Sequence, residues 1–444
     1  MNAGPDDANA QALRTTALTA SASMNKALVF LGLEGLTSLG IAWSIFAIEL
    51  WVLKKTGSYP IFASLAFLAA MPGVLLSPLV GPIIDRIPRG LVLSCCDFLG
   101  LGIGASVALC AVTRGFSLPS AALALFGLAV IQTLRWPTLL STVSALAPPT
   151  GIDRVTAYEE AIEAAVTVLS PLAGTFMLGH FGIAPTFAAL GLSFGASLAG
   201  VLLLRLPRSF SGHELRQLMS AYAANFREDF LFGFRWIRRR PRMFRLLAYV
   251  CIFNFGATIF VTMQTPLALA LFDASRMATI VACGGVGLFA GGLAVSLTGG
   301  IQPLTRAIYL GSACIATAIG VYGTSGSMLQ SAVGAFAFTF FHPFVNTAMQ
   351  VLWRTHAPLD KQGAIFSVRR MFTSALGPAA IALSVPIADH IAAPALAQVC
   401  RILGWSAQPG SSGKLGLTLV LVSAAMLLVI GSFQQLGFLK GDDE

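Results

Sequence analysis

Apolar runs of about twenty residues recur along this 444-residue chain, and they leave very few folds open to it. A bilayer core is roughly 30 Å thick, so a helical span needs about 20 apolar residues. Lipid offers no partner to backbone N–H and C=O groups, so such runs must be helices or strands of a closed barrel. Barrel strands would show about ten residues of period-two alternation. The runs here are longer and apolar on every side, which selects helices. Charge agrees: 11% of residues are charged and 56% hydrophobic, whereas a soluble domain averages about 25% charged.

The runs predict twelve spans, near 28–53, 61–80, 92–113, 119–140, 158–179, 184–204, 246–271, 277–298, 305–322, 328–352, 371–389 and 415–438. Most connections are short, but 205–245 and 390–414 are long. With the N-terminus inside, inner segments hold 21 of the 28 Lys and Arg residues and outer segments six, Arg135 lying within a span. This positive-inside bias predicts both termini in the cytoplasm. Residues 1–27, rich in Ala, Ser and Thr, are expected to form a disordered cytoplasmic tail. Two six-helix bundles, 28–205 and 246–440, then flank a basic cytoplasmic linker, 206–245.

Several function classes fall away. Six of the seven cysteines sit in apolar runs, and neither they nor the five histidines show metal-ligand spacing, so no metal site is expected. Arg238-Arg239-Arg240 lies between spans with no RNA-binding motif, so topology and anionic lipid, not nucleic acid, account for it. An embedded acyltransferase would need paired His and Asp; His356 and Asp360 have three residues between them and lie in a loop, so an enzyme is the least favoured reading. The glycines of spans 3 and 8 follow no strand and read as close helix packing.

The two halves share short echoes. Ala147-Pro148 and Ala357-Pro358 close spans 4 and 10, and Leu169-Ser170-Pro171 in span 5 matches Leu376-Gly377-Pro378 in span 11. The loop after span 2 reads Gly81-Pro82-Ile83-Ile84-Asp85-Arg86-Ile87-Pro88-Arg89-Gly90. It resembles the signature of the major facilitator superfamily, with Pro88 and Gly90 replacing a usual glycine and basic residue. Gly81, Asp85, Arg86 and Arg89 would form a gating clasp there, Asp85 accepting from Arg86 or Arg89. Lys54-Lys55-Thr56-Gly57-Ser58, Ser94-Cys95-Cys96-Asp97, Gly233-Phe234-Arg235-Trp236-Ile237 and Gln362-Gly363-Ala364-Ile365-Phe366 resemble the enterobactin-exporter and macrolide-efflux branch. Ser170-Pro171-x-x-Gly174 is similar to the family's antiporter motif, with serine for a glycine. The resemblance implies an all-α fold of two pseudo-symmetric six-helix bundles, with spans 1, 4, 7 and 10 around a central cavity.

Charged groups within spans are functional candidates, because each costs about 2.5–3.5 kcal/mol at the bilayer centre. Glu34 and Glu49 on span 1 lie about 60° apart at 100° per residue, with Ser38 between them on one face. If spans 1 and 4 line the cavity, Glu34 or Glu49 is the proton-titrating site, with Arg135 as its partner or as a contact for an anionic substrate. Gln132 shares span 4. Asp97 is expected to pair with the Asp85 loop or to cap span 3. Asn254, Thr258 and Thr262 on span 7, and His342, Asn346 and Gln350 on span 10, repeat at every fourth residue among phenylalanines. Such stripes suit an amphiphilic organic substrate, or serve as helix–helix hydrogen bonds. The expectation is a monomeric transporter in a bacterial cytoplasmic membrane. It exports a siderophore, macrolide or other secondary metabolite in exchange for protons, with no cofactor. An importer or lysophospholipid mover on the same scaffold stays open.

Overall fold

The computed structural model describes residues 5–76, 80, 87–146, 152–203, 230–298, 302–358, 362–402 and 411–435. The helices of the first half are α1 (Pro5–Thr56), α2 (Tyr59–Leu75), α3 (Arg89–Thr113), α4 (Leu118–Leu146), α5 (Ile152–His180) and α6 (Ile183–Leu203). Those of the second are α7 (Pro241–Leu271), α8 (Ala274–Thr298), α9 (Leu304–Gly323), α10 (Met328–His356), α11 (Gln362–Pro386) and α12 (Ser411–Gln435). Eleven described helices are long and apolar enough to cross a membrane, and Tyr59–Leu75 is a shorter apolar one. The described residues contain no strand.

Tight turns link successive helices. Gly57, Gly115 and Gly182 each take a positive φ between α1 and α2, α3 and α4, and α5 and α6, a conformation other residues adopt at a cost. Asp273 opens α8, where its carboxylate accepts from the Arg276 backbone N–H at 2.9 Å. That bond, ahead of the weak cost of burial and the Arg276 charge, holds its carboxyl below the usual carboxylate range.

The halves repeat each other in packing. Within the first, α3 lies on α4 and α6, α1 on α5 and α6, and α2 on α4. Six helices on, α9 lies on α10 and α12, α7 on α11 and α12, and α8 on α10. The halves meet through α2 with α11 and α5 with α8. Gly285 of α8 allows one crossing, since a Cβ there would stand 2.8 Å from the backbone nitrogen of Val168. At the end of the bundle away from Pro5 and Gln435, here the far end, Phe46, Leu50, Tyr59 and Phe62 belong to the same buried cluster as the core of the second half. There the Tyr59 hydroxyl donates to Ser384 Oγ at 2.5 Å. Near the opposite end, Phe30, Leu31, Leu139 and Val143 form a cluster of first-half residues alone. The halves are therefore clamped at the far end.

Three segments differ from the sequence expectations. Residues from Pro5, expected as disordered tail, continue α1; runs such as Ala8–Ala12 are rich in alanine, the best helix former. The linker does not last to 245. Residues 230–238 are helical, Trp236 and Ile237 are buried in the second-half core, and α7 starts at Pro241. Aromatic residues explain this: Phe234 stacks on Phe372 with ring centroids 6.1 Å apart, and the Arg240 guanidinium lies 4.2 Å from the Trp236 ring centre. Helix also continues past 390, through a π-helical Ile387–Ala392 and an α-helical Ala393–Ile402, where a loop was expected.

Candidate functional site

A cavity of about 720 Å³ lies along α1, α2, α4 and α5. Glu34, Ser38, Glu49, Gln132 and Arg135 all line it. Their spacing on α1 and α4 gives each helix one polar stripe in an apolar surface. Ser170 and Pro171 of α5 line the same wall. One turn on, Gly174 lets α5 close on α1, since a Cβ there would stand 2.8 Å from the Trp43 carbonyl.

At the wall of this cavity sits a buried ionic cluster. Arg135 Nη2 donates to Glu34 Oε2 at 2.6 Å, and Nη1 donates to Asp97 Oδ1. Nη2 also lies 2.8 Å from Ser197 Oγ, which is 2.9 Å from Glu34 Oε1 and 3.0 Å from Asp97 Oδ2. Glu34 and Asp97 are fully buried and Arg135 is 3% exposed. The guanidinium also lies 5.4 Å from the Phe194 ring centre. Helices α1, α3, α4 and α6 thus each supply one member. Asp97 does not cap α3, and the Asp85 loop offered as its other partner lies outside the described residues. Asp97 is nine residues past Pro88, which precedes the helix, and points inward.

The charges do not cancel. Two ionised carboxylates and one guanidinium leave one negative charge in a site closed to water, which is costly. Ser197 carries a single hydroxyl proton, yet its oxygen sits against both carboxylates. It donates to one of them, and the other contact is satisfied when that second carboxyl is itself protonated and donates to Oγ. Adding one proton therefore neutralises the cluster and satisfies both contacts between Ser197 and the carboxyls.

Glu49 stands fifteen residues further along α1, about 22 Å away at 1.5 Å per residue, so it does not meet Arg135. Among the described residues it has neither an ion-pair nor a hydrogen-bond partner. Glu159 and Glu163 of α5 line the same cavity.

A second cavity, about 530 Å³, lies between α7, α10 and α11. Asn254, His342, Asn346 and Gln350 line it, as do Arg369 and Arg370. Thr258 and Thr262 line neither cavity. Thr262 is buried and donates to the Thr258 carbonyl at 2.8 Å, satisfying itself on its own helix as threonine readily does. The next turns of α7, with Phe260, Met263 and Leu267, are packed into the core at the clamped end. Gly81, Asp85 and Arg86 lie outside the described residues, and Arg89 begins α3.

Sequence reasoning missed Asp97, Ser197, Arg369 and Arg370 as site residues. Asp97 has a signal, being a charge eight residues into an apolar helix. Ser197 has none, because serines also serve as small packing residues. The two arginines read as positive-inside charges, yet they lie two turns within α11.

The family profile described as Major Facilitator Superfamily matches residues 31–382. Macrolide efflux protein A of Streptococcus pyogenes is 19% identical over 366 residues, covering 78% of this chain and 85% of that protein. Among solved structures, a bacterial homologue of the human lysosomal transporter Spinster, inward-facing and unoccupied, superposes with a TM-score of 0.58 at 15% identity, covering 93% of this chain and 97% of its own. A POT family transporter in complex with a thioalcohol-conjugated peptide gives 0.66 at 13% identity, covering 92% and 96%. These structural likenesses concern the fold.

Proposed function

Because the chain belongs to the major facilitator superfamily, we propose that this multi-pass membrane transporter exports an amphiphilic organic molecule in exchange for protons. The buried Glu34–Asp97–Arg135–Ser197 cluster carries the reading. It sits at the wall of the main cavity, holds one negative charge in excess, and is neutralised by one proton. Glu34 and Asp97 share that proton, Arg135 keeps the deprotonated state tolerable, and Ser197 passes the hydrogen bond between the carboxyls.

Positive-inside bias assigns the end bearing Pro5 and Gln435 to the cytoplasm of a bacterial inner membrane. The far-end clamp at Tyr59 and Ser384 then makes this the inward-facing arrangement. Transport rocks the halves about the α2–α11 and α5–α8 seams, opening that clamp. A monomer suffices, and the proton gradient supplies the energy without a cofactor. The likeness to a macrolide efflux protein supports export, and the apolar surfaces around Glu49 and Gln132 support an organic substrate. The mixed polar and apolar lining suits an amphiphile better than a sugar.

Erythromycin is the first probe. Cells expressing the chain are expected to accumulate less of it than cells lacking it, and a protonophore to abolish the difference. Glu34→Gln, Asp97→Asn and Arg135→Ala should each raise accumulation to that of cells without the protein. Full protonophore-sensitive efflux in all three variants rules the proton assignment out.

A further inference from the structure

The two cavities carry opposite charge. The first is lined by Glu34, Glu49, Glu159 and Glu163 with only Arg135, itself held by Glu34 and Asp97. The second has Arg369 and Arg370 on its wall, and none of its lining residues is acidic. Around them stand the amides of Asn254, Asn346 and Gln350, the His342 ring and the Thr373 hydroxyl. Arg369 is fixed in place: its Nη1 donates to Gln350 Oε1 at 2.9 Å, and its guanidinium lies 5.3 Å from the ring centre of the fully buried Trp353. Accepting that bond leaves the Gln350 amide N–H groups directed elsewhere. Arg370 beside it is exposed and lines the cavity, and its guanidinium has no hydrogen-bond or ion-pair partner among the described residues. Val250, Phe253, Val345, Met349 and Phe366 complete the wall with apolar surface.

We propose that this second cavity is an anion subsite, taking the carboxylate or phosphate of an amphiphile whose apolar part lies on the phenylalanine and valine surface. This rests on the transport reading and adds anionic amphiphiles to its cargo, beside the cationic kind that the acidic first cavity suits. The planar forks of two adjacent arginines suit the paired oxygens of such groups. Arg135 is not available for the task, since it is already shared by two carboxylates. The same chemistry serves a diffusible anion or the phosphate of a membrane lipid.

The test is calorimetric binding to the purified full-length protein in phosphatidylcholine nanodiscs, with no proton gradient. The probes are hexyl phosphate, hexanoate and hexyltrimethylammonium. Hexyl phosphate and hexanoate are expected to bind saturably and the cation not to compete. Arg370→Gln should weaken binding about tenfold, the loss of one charge-assisted contact, and Arg370→Lys should retain part of it. Arg370 is exposed, so its replacement leaves the fold's contacts in place, and a monodisperse elution profile checks this. Equal affinity in Arg370→Gln, competition by the cation, or no saturable anion binding overturns the proposal. Repeating the titration with phosphatidylglycerol in the discs separates the sources. Displacement of hexyl phosphate there supports the subsite with lipid phosphate as its occupant, and undiminished binding supports it with a diffusible one. Intact binding beside lost proton-driven efflux sinks only the transport reading; lost binding beside intact efflux sinks only the subsite.

Discussion

Arg135 is the residue on which the first half turns. Two carboxylates and a serine from three other helices converge on it, all buried. Its importance was legible, since an arginine in an apolar run needs a reason, and so was its pairing with Glu34, through the shared cavity that the resemblance implies. The Asp97 arm was not, because a sequence shows that a charge lies within a span but not toward which neighbour it turns. Arg135→Ala would leave two carboxyls buried without a cation, at a cost of about 3–5 kcal/mol. Its thermal unfolding in detergent should therefore fall well below wild type. Asp97→Asn leaves a one-to-one Glu34–Arg135 pair and should unfold near wild type. Equal destabilisation of the two would show that the excess charge does not matter.

Among the helices, α8 and α10 show what glycine does for packing. Cβ atoms on Gly287 and Gly291 would run into the carbonyls of Phe336 and Phe340. Backbone cannot give way as a flexible side chain does, so Gly291→Val should cost more than the 1–3 kcal/mol typical of overpacking. Gly292→Val, with nothing within 4 Å of its Cβ position, should be nearly neutral. Thermal unfolding of the two variants side by side checks this, and similar losses would mean that the α8–α10 contact is looser than the structure shows. The sequence showed the glycine run as a packing face without showing which glycines touch. Helix ends were legible less often than helix centres. The stretch beyond Pro386 illustrates this: a π-helical segment carries the chain on where hydropathy fades, and hydropathy registers apolarity rather than backbone geometry. Thr262 marks the same limit: the stripe it shares with Thr258 has the spacing of the cavity-lining Asn346 and Gln350, while its hydroxyl turns to a carbonyl of its own helix.

At the scale of the molecule, two six-helix halves meet along paired seams and are held together at the far end. The count of spans was legible in the apolar runs, and the division into halves in the long basic middle segment. How the halves touch was not, since no local signal ties Tyr59 to Ser384 across 325 residues. That hydrogen bond must break if the far end opens. Tyr59→Phe removes about 0.6 kcal/mol by the average for membrane proteins, enough to raise the far-end-open population roughly threefold. Spin labels at Arg114→Cys and Arg276→Cys, on an otherwise cysteine-free protein, should report a larger long-distance fraction in Tyr59→Phe; an unchanged distribution would remove this bond from the clamp. The central claim concerns the proton rather than the clamp. Infrared difference spectra of the purified transporter, recorded over a pH series, read protonated carboxyls directly. The account predicts a band that titrates in the wild type and in Glu49→Gln and is missing from both Glu34→Gln and Asp97→Asn. A band untouched by those two substitutions, or lost only in Glu49→Gln, would contradict it.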